Sequence, residues 1–202
     1  MSCTHEEFMK IAAKHEMIVG NDNGLNRHIS FSRSGASDYS FQLTTWENHL
    51  CISGDMGTYV FWRKRDMFNF FREPKVHQIN PDYWSEKLDA VGVNDDCREF
   101  CIDSFKAALL EYFDDCEFDC LENKEKMREE IKNEILICED EHEAIAYVRN
   151  FDSQYDEYFD FYDFFESWRS WKPFTWRYIF CLRATVWGIS QYDAYKAQQQ
   201  AA

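Results

Sequence analysis

Between Tyr39 and Trp62 the apolar positions recur in short runs rather than at helical intervals. Phe41 to Thr45 and His49 to Ser53 are joined by Trp46-Glu47-Asn48, and Thr58 to Trp62 follows Gly54-Asp55-Met56-Gly57. Short runs rich in β-branched and aromatic residues, bounded by Gly, Asp and Asn, predict antiparallel strands joined by tight turns. Upstream, His28 to Arg33 alternates polar and apolar residues, as a half-buried strand does. The pattern predicts a small antiparallel β-meander of about four strands.

The rest of the chain has helical periodicity. Thr4 to Val19 opens with a capping-box pattern, Thr4 with Glu7, and carries Phe8, Ile11, Ala12, His15 and Ile18 at helical spacing. Gly20 to Gly24 is predicted to end it. Asp66 to Arg72 predicts a short helix stopped by Glu73-Pro74. Asn80-Pro81 opens another, with Tyr83, Trp84, Leu88 and Val91 on its apolar side. Further helices are expected over Asp96–Phe113, Glu122–Cys138, Glu141–Asn150 and, strongly apolar and central, Phe174–Tyr192. The fold class expected is α+β: a meander-containing part, residues 1–93, packed with a helical part, residues 94–202, as one compact unit.

Phe151 to Trp171 stands apart, because aromatic and acidic residues interleave almost one for one. Its acids, Asp152, Asp156, Glu157, Asp160, Asp163 and Glu166, recur every few residues, so a helix there would carry them as one stripe about 5–6 Å apart. A second run, Glu111, Asp114, Asp115, Glu117 and Asp119, also lacks an intervening Lys or Arg.

Charge changes the picture more than composition does. With 18% aromatic residues, 3 Pro and 7 Gly in 202 residues, the chain has the makings of a packed core and little of a disordered one. The net charge of −15 is unevenly placed. Residues 1–93 hold 10 Lys/Arg against 12 Asp/Glu, and residues 94–202 hold 12 against 25. Such a surface repels nucleic-acid phosphates and attracts basic protein surfaces. A carboxylate stripe at that spacing resembles the phosphates of a DNA strand to a basic groove. The eleven acids of the two runs are therefore the expected partner-binding residues.

Other chemistry has weaker support. Eight cysteines are an even number, yet the first 20 residues do not read as a secretory signal and no apolar run reaches the roughly 18 residues of a membrane span. The expectation is a reduced protein in the cytoplasm. Cys97/Cys101 and Cys116/Cys120 are spaced one helical turn apart, unlike the closer knuckle pairs of zinc sites, and neither a metal nor a cofactor is expected. His28, Arg33, His49 and Asp55 form the alternative ligand site, for a nucleotide signal bound or hydrolysed at the sheet. Gly54-Asp55-Met56-Gly57 lacks the lysine and the glycine spacing of phosphate loops and reads as a turn.

The segments RHISF, FQLTTWENHLCISGDMGTYVFWR, DMFNFF, INPDYWSEKL and VWGISQYDA together resemble a family of uncharacterised bacteriophage and prophage proteins. The resemblance is dense from His28 to Leu88 and returns at Val186 to Ala194. It implies a soluble accessory protein made in the cytoplasm of an infected bacterium, and it implies no reaction and no catalytic residue. Small accessory phage proteins of this kind often counter host defence. The expected function is thus non-enzymatic inhibition of a host defence protein or nuclease complex, by acidic helices that occupy its basic, nucleic-acid-binding surface. The alternatives are the nucleotide-signal module and a structural phage protein.

Overall fold

A computed structural model describes residues 2–72, 78–156 and 159–201. The chain divides into two compact units. The first comprises residues 1–97 and 174–202, and the second, residues 98–173, is inserted within it. This differs from the division expected at residue 93. The final helix belongs with the sheet, and the acidic helical part is a contiguous insertion.

The first unit is built on a six-stranded antiparallel sheet in the order of the chain: β1 (Glu16–Asn23), β2 (Asn26–Arg33), β3 (Ala36–Trp46), β4 (His49–Gly54), β5 (Tyr59–Trp62) and β6 (Leu88–Val91). The four central strands are those expected from the sequence, and an edge strand is added on each side. On one side, α1 (His5–Ala12) begins at the expected capping box: Thr4 Oγ1 accepts from the Glu7 N–H at 3.2 Å, and the Glu7 carboxylate accepts from the Thr4 N–H at 2.8 Å. It ends seven residues before Val19, because Met17 and Val19 cross-pair with Phe31 and Ile29. The turn expected at Gly20–Gly24 shrinks to its last glycine, whose φ of 63° is one glycine adopts without a steric penalty. On the other side, Asn80 caps α3 (Pro81–Ser85) by accepting from the Tyr83 N–H. Leu88 and Val91, counted on that helix from sequence, instead form β6 against β5. α2 (Phe68–Phe71) lies within the expected short helix, and its expected stop at Glu73-Pro74 lies outside the described residues.

One face of the sheet is fully buried. Ile29, Phe31, Leu43, Leu50, Ile52, Tyr59 and Phe61 lie on it, with Phe68, Phe71 and Trp84 from the short helices. Across it runs α8 (Trp176–Ala201), contributing Tyr178, Phe180, Leu182 and Trp187. Phe31 stacks on Phe41 at 4.7 Å and meets Trp187 edge-on at 5.4 Å, both favourable aromatic geometries. The helix approaches so closely because residue 188 is glycine. A Cβ there would lie 2.9 Å from Leu43 Cδ1 and 3.1 Å from the Phe31 ring. Gly188→Val is therefore expected to cost about 1–3 kcal/mol or more by overpacking, measured as a lower urea midpoint.

Ion pairs fix the far end of α8. The Tyr192 hydroxyl and Lys196 Nζ both donate to Asp22 of β1 at 2.8 Å, and Arg72, just after α2, clasps Asp193 at 2.7 and 2.8 Å. Beneath them the Arg27 guanidinium donates to both Asp66 oxygens, at 2.9 and 3.0 Å, and lies over the Phe68 ring at 4.6 Å. No helix among the described residues is long and apolar enough to cross a membrane.

The second unit has its own core. α4 (Ile102–Asp115), α5 (Leu121–Glu134) and α6 (Glu141–Asn150) contribute Phe105, Leu109, Phe113, Met127, Ile131 and Val148. The chain after α6 then closes the core with Phe161, Phe164 and Trp171.

Candidate functional site

The charge asymmetry is sharper in space than along the chain. Residues 98–173 hold 9 Lys/Arg against 22 Asp/Glu, a balance of −13, while the rest of the chain holds 13 against 15. Nearly all the excess charge resides in the inserted unit.

The first acidic run sits at the wrong end of a helix. Glu111, Asp114 and Asp115 occupy the last turns of α4, where the helix dipole disfavours negative charge and no basic residue accompanies them. Two cations from α5 partly compensate. Arg128 pairs with Asp114, and Lys124 Nζ donates to the carbonyls of Asp114 and Cys116, both at 2.7 Å, in place of a capping residue. Glu117 and Asp119 are not helical: they lie, exposed, in the loop to α5.

The second run is not a helical stripe. Residues 151–156 and 159–162 are irregular, followed by a single 3-10 turn at Asp163–Ser167 and the short α7 (Trp168–Trp171). The interleaving of aromatic and acidic residues has a two-residue period from Phe159 to Tyr162. Phe159 is half-buried and Phe161 buried, while Asp160 and Tyr162 are exposed. The segment is an irregular strap that turns at Tyr162, where the backbone is right-handed helical and the N–H donates to Asp160 Oδ1 at 2.9 Å. Phe159 and Phe161 meet edge-on at 4.9 Å, and Phe164 stacks on Trp171. The aromatics plug the core and the acids are left outside it. Glu157, expected in this set, lies outside the described residues.

Three of the acids converge. Glu117, Asp119 and Asp156 line a hollow of about 640 Å³ together with Lys124. Asp160 and Glu166 line a separate groove of about 560 Å³ with Arg149, Phe151, Tyr162 and Phe165. Asp152 and Asp163 are exposed and line neither. Among the described residues, Glu111, Asp115, Glu117, Asp119, Asp152, Asp160, Asp163 and Glu166 form no ion pair. Sequence reasoning missed Arg149, Tyr162 and Phe165. The signal for them in the sequence is the aromatic–acid alternation of Phe159 to Tyr162, which does not specify a backbone conformation.

The alternative site does not assemble. β3 separates β2 from β4, so His28 and His49 are not on neighbouring strands. The His28 ring contacts Thr44 at 2.9 Å, and Arg33 pairs with Asp38 at the opposite end of β2. His49 and Asp55 begin and follow the same strand, roughly 20 Å apart at the usual rise per residue. Asp55 accepts from the Tyr39 N–H, as a turn residue does, and the Tyr59 ring is buried on the other face of the sheet. Arg27, on the same strand, is committed to Asp66. His49 has a different setting: it stacks on Trp46 at 4.8 Å and faces Trp62 across the next strand pair, forming a row of three rings on the open face.

The cysteine pairs are not helical pairs. Cys101 and Cys120 are the residues that precede α4 and α5, and Cys116 follows α4, so neither pair shares a helix. Among the described residues no cysteine is in a disulfide, and no group of three or more His, Cys, Asp or Glu side chains is placed to hold a metal ion. Burial pushes the Cys116 thiol up, whereas hydrogen bonds from Ser104 hold the Cys101 thiol below its ordinary value.

No family model, curated protein or solved structure matches the chain. The resemblance to phage proteins rests on the residues quoted for it.

Proposed function

We propose that the chain is a non-catalytic binding protein whose acidic inserted unit docks on a basic, nucleic-acid-binding surface of another protein. In the infected bacterium implied by the phage resemblance, that partner is a host defence protein or nuclease complex. One observation carries the reading: a balance of −13 confined to residues 98–173, with eight of the candidate carboxylates unpaired among the described residues. Like charges held close together, and acids at a helix C-terminus, oppose folding by tenths of a kcal/mol each. Retaining them is understandable where a basic surface supplies the missing counter-charge. The mimicry is now of a different kind. It is a charged surface made of a helix end, a loop and an irregular strap, rather than a regular ladder.

The test is capture from bacterial lysate on the immobilised protein. A partner held at low salt is expected to leave at high salt and to be displaced by duplex DNA. Glu111→Gln, Asp115→Asn, Asp160→Asn and Asp163→Asn together are expected to weaken that binding roughly 100-fold, from about 0.7 kcal/mol per exposed ion pair. Undiminished capture by this variant, or capture indifferent to salt, refutes the reading.

The row of Trp46, His49 and Trp62 favours a second reading, a nucleotide stacked on the open sheet face beside Arg63. A nucleotide at a hundredfold excess over its Kd is expected to stabilise the protein by about 2.7 kcal/mol. A thermal-shift screen of signalling nucleotides that raises no melting temperature disposes of it.

A further inference from the structure

The groove of about 560 Å³ on the inserted unit is the best-formed concavity associated with the candidate acids. Its size is within the range of small-ligand sites. Phe161 is buried in it, and Phe151 and Phe165 are half-buried. Tyr162 stands beside it with 79% of its surface exposed, so its ring face is open to a ligand. Asp160 and Glu166 are exposed, and Arg149 lies over Phe165 at 5.5 Å with neither an ion pair nor a hydrogen bond among the described residues. Aromatic residues and arginine around an open hollow are the composition of interface anchors.

We infer that this groove seats an extended, arginine-bearing peptide segment of the partner; the inference rests on the acidic-unit reading above and assigns it a contact point. Each feature of the groove finds a counterpart in such a segment. A guanidinium stacks on the exposed Tyr162 face and is planar enough to bridge to a carboxylate, which lysine cannot do bidentately. Asp160 and Glu166 supply those carboxylates. The unpaired Arg149 donors require acceptors, and the carbonyls of extended backbone provide them without introducing negative charge. An anionic ligand would satisfy Arg149 but would enter against the field of a unit with a balance of −13.

The experiment uses the full chain and a fluorescein-labelled octapeptide of alternating arginine and glycine, with its lysine counterpart, read by anisotropy at low salt. Tyr162→Ala removes the stacking face without changing charge, and the double variant Asp160→Asn/Glu166→Gln removes two charges at the groove. Glu125→Gln/Glu134→Gln removes two charges on α5, outside the candidate acids, as the control. Both groove variants are expected to weaken arginine-peptide binding at least tenfold and the control less than threefold, with the lysine peptide binding more weakly to the wild type. Circular dichroism melts identify any variant that loses its fold, and the two groove variants, one aromatic and one acidic, serve as checks on each other. Equal losses from the groove and control doubles, with Tyr162→Ala silent, overturn the groove and leave the acidic-unit reading standing. Equal affinity for the two peptides overturns the choice of arginine. Failure of the wild type to bind either peptide overturns both the groove and the reading it rests on.

Discussion

Excision of residues 98–173, with a short glycine-serine linker joining Cys97 to Phe174, is expected to give a folded protein that has lost its partner. The chain leaves and re-enters the first unit at one place. The Thr175 N–H donates to the Cys97 carbonyl at 2.9 Å, and its hydroxyl donates to the carbonyl of Asp96. The ends to be bridged are therefore already adjacent. Closing a loop of about eight residues instead of 76 lowers the closure entropy by about 2 kcal/mol. The core over the sheet draws on residues 1–97 and 174–202 alone, so it is retained in full. The excised protein is expected to keep a cooperative thermal transition and near-ultraviolet dichroism, to carry a net charge of −2, and to capture nothing from lysate at low salt. Loss of the cooperative transition would show that the sheet depends on the insertion. Retained capture would place binding on the sheet.

A second large effect is expected at Asp66. Asp66→Ala strands the Arg27 guanidinium, whose side chain is 10% exposed, and removes the acceptor of the Phe68 N–H. An uncompensated buried charge costs about 3–5 kcal/mol, a large part of the 5–15 kcal/mol that holds a typical domain together. Replacing both partners, as in Arg27→Met/Asp66→Leu, is expected to recover most of the loss, because the desolvation penalty goes with the charges. The pair also predicts a pH dependence. Burial alone would raise the Asp66 pKa, but the hydrogen bonds and charge of Arg27 outweigh it and hold the carboxyl below its ordinary value. With the folded value depressed, the stabilisation is fully present above the unfolded pKa of about 4 and is lost as pH falls through the folded value. Urea titrations are expected to show the wild type losing more stability than the double variant below about pH 4. Parallel pH profiles would mean that the pair contributes nothing net.

The parts of the fold legible in the sequence are those whose information is local. Thr4 with Glu7, Asn80 with Pro81, and the runs from His28 to Trp62 each announce themselves within a few residues. The misreadings share a cause in long-range pairing. Ile18 fits the end of a helical series until its neighbours Met17 and Val19 are seen to pair with Phe31 and Ile29, and Leu88 to Val91 is too short to reveal a period. Gly188 shows why the last helix belongs with the sheet, yet a single glycine in a helical pattern does not say what approaches it. At the candidate site, composition revealed the charge and concealed its shape. Acids three or four apart suit a helix, but the aromatics between them, Phe159 and Phe161, fill a core from an irregular strap.

The placement of α8 also governs the order in which the protein is made. The buried face of the sheet is completed by Tyr178, Phe180, Leu182 and Trp187, which are synthesised only after the insertion. At 5–20 residues per second, the 76 residues of the insertion occupy the ribosome for about 4–15 s while that apolar face waits uncovered. Throughout this interval the emerging segment is the highly charged one, with a core of its own to fold. Mutual repulsion between nascent chains then accompanies the exposure of their apolar sheets, and is expected to oppose their aggregation during synthesis.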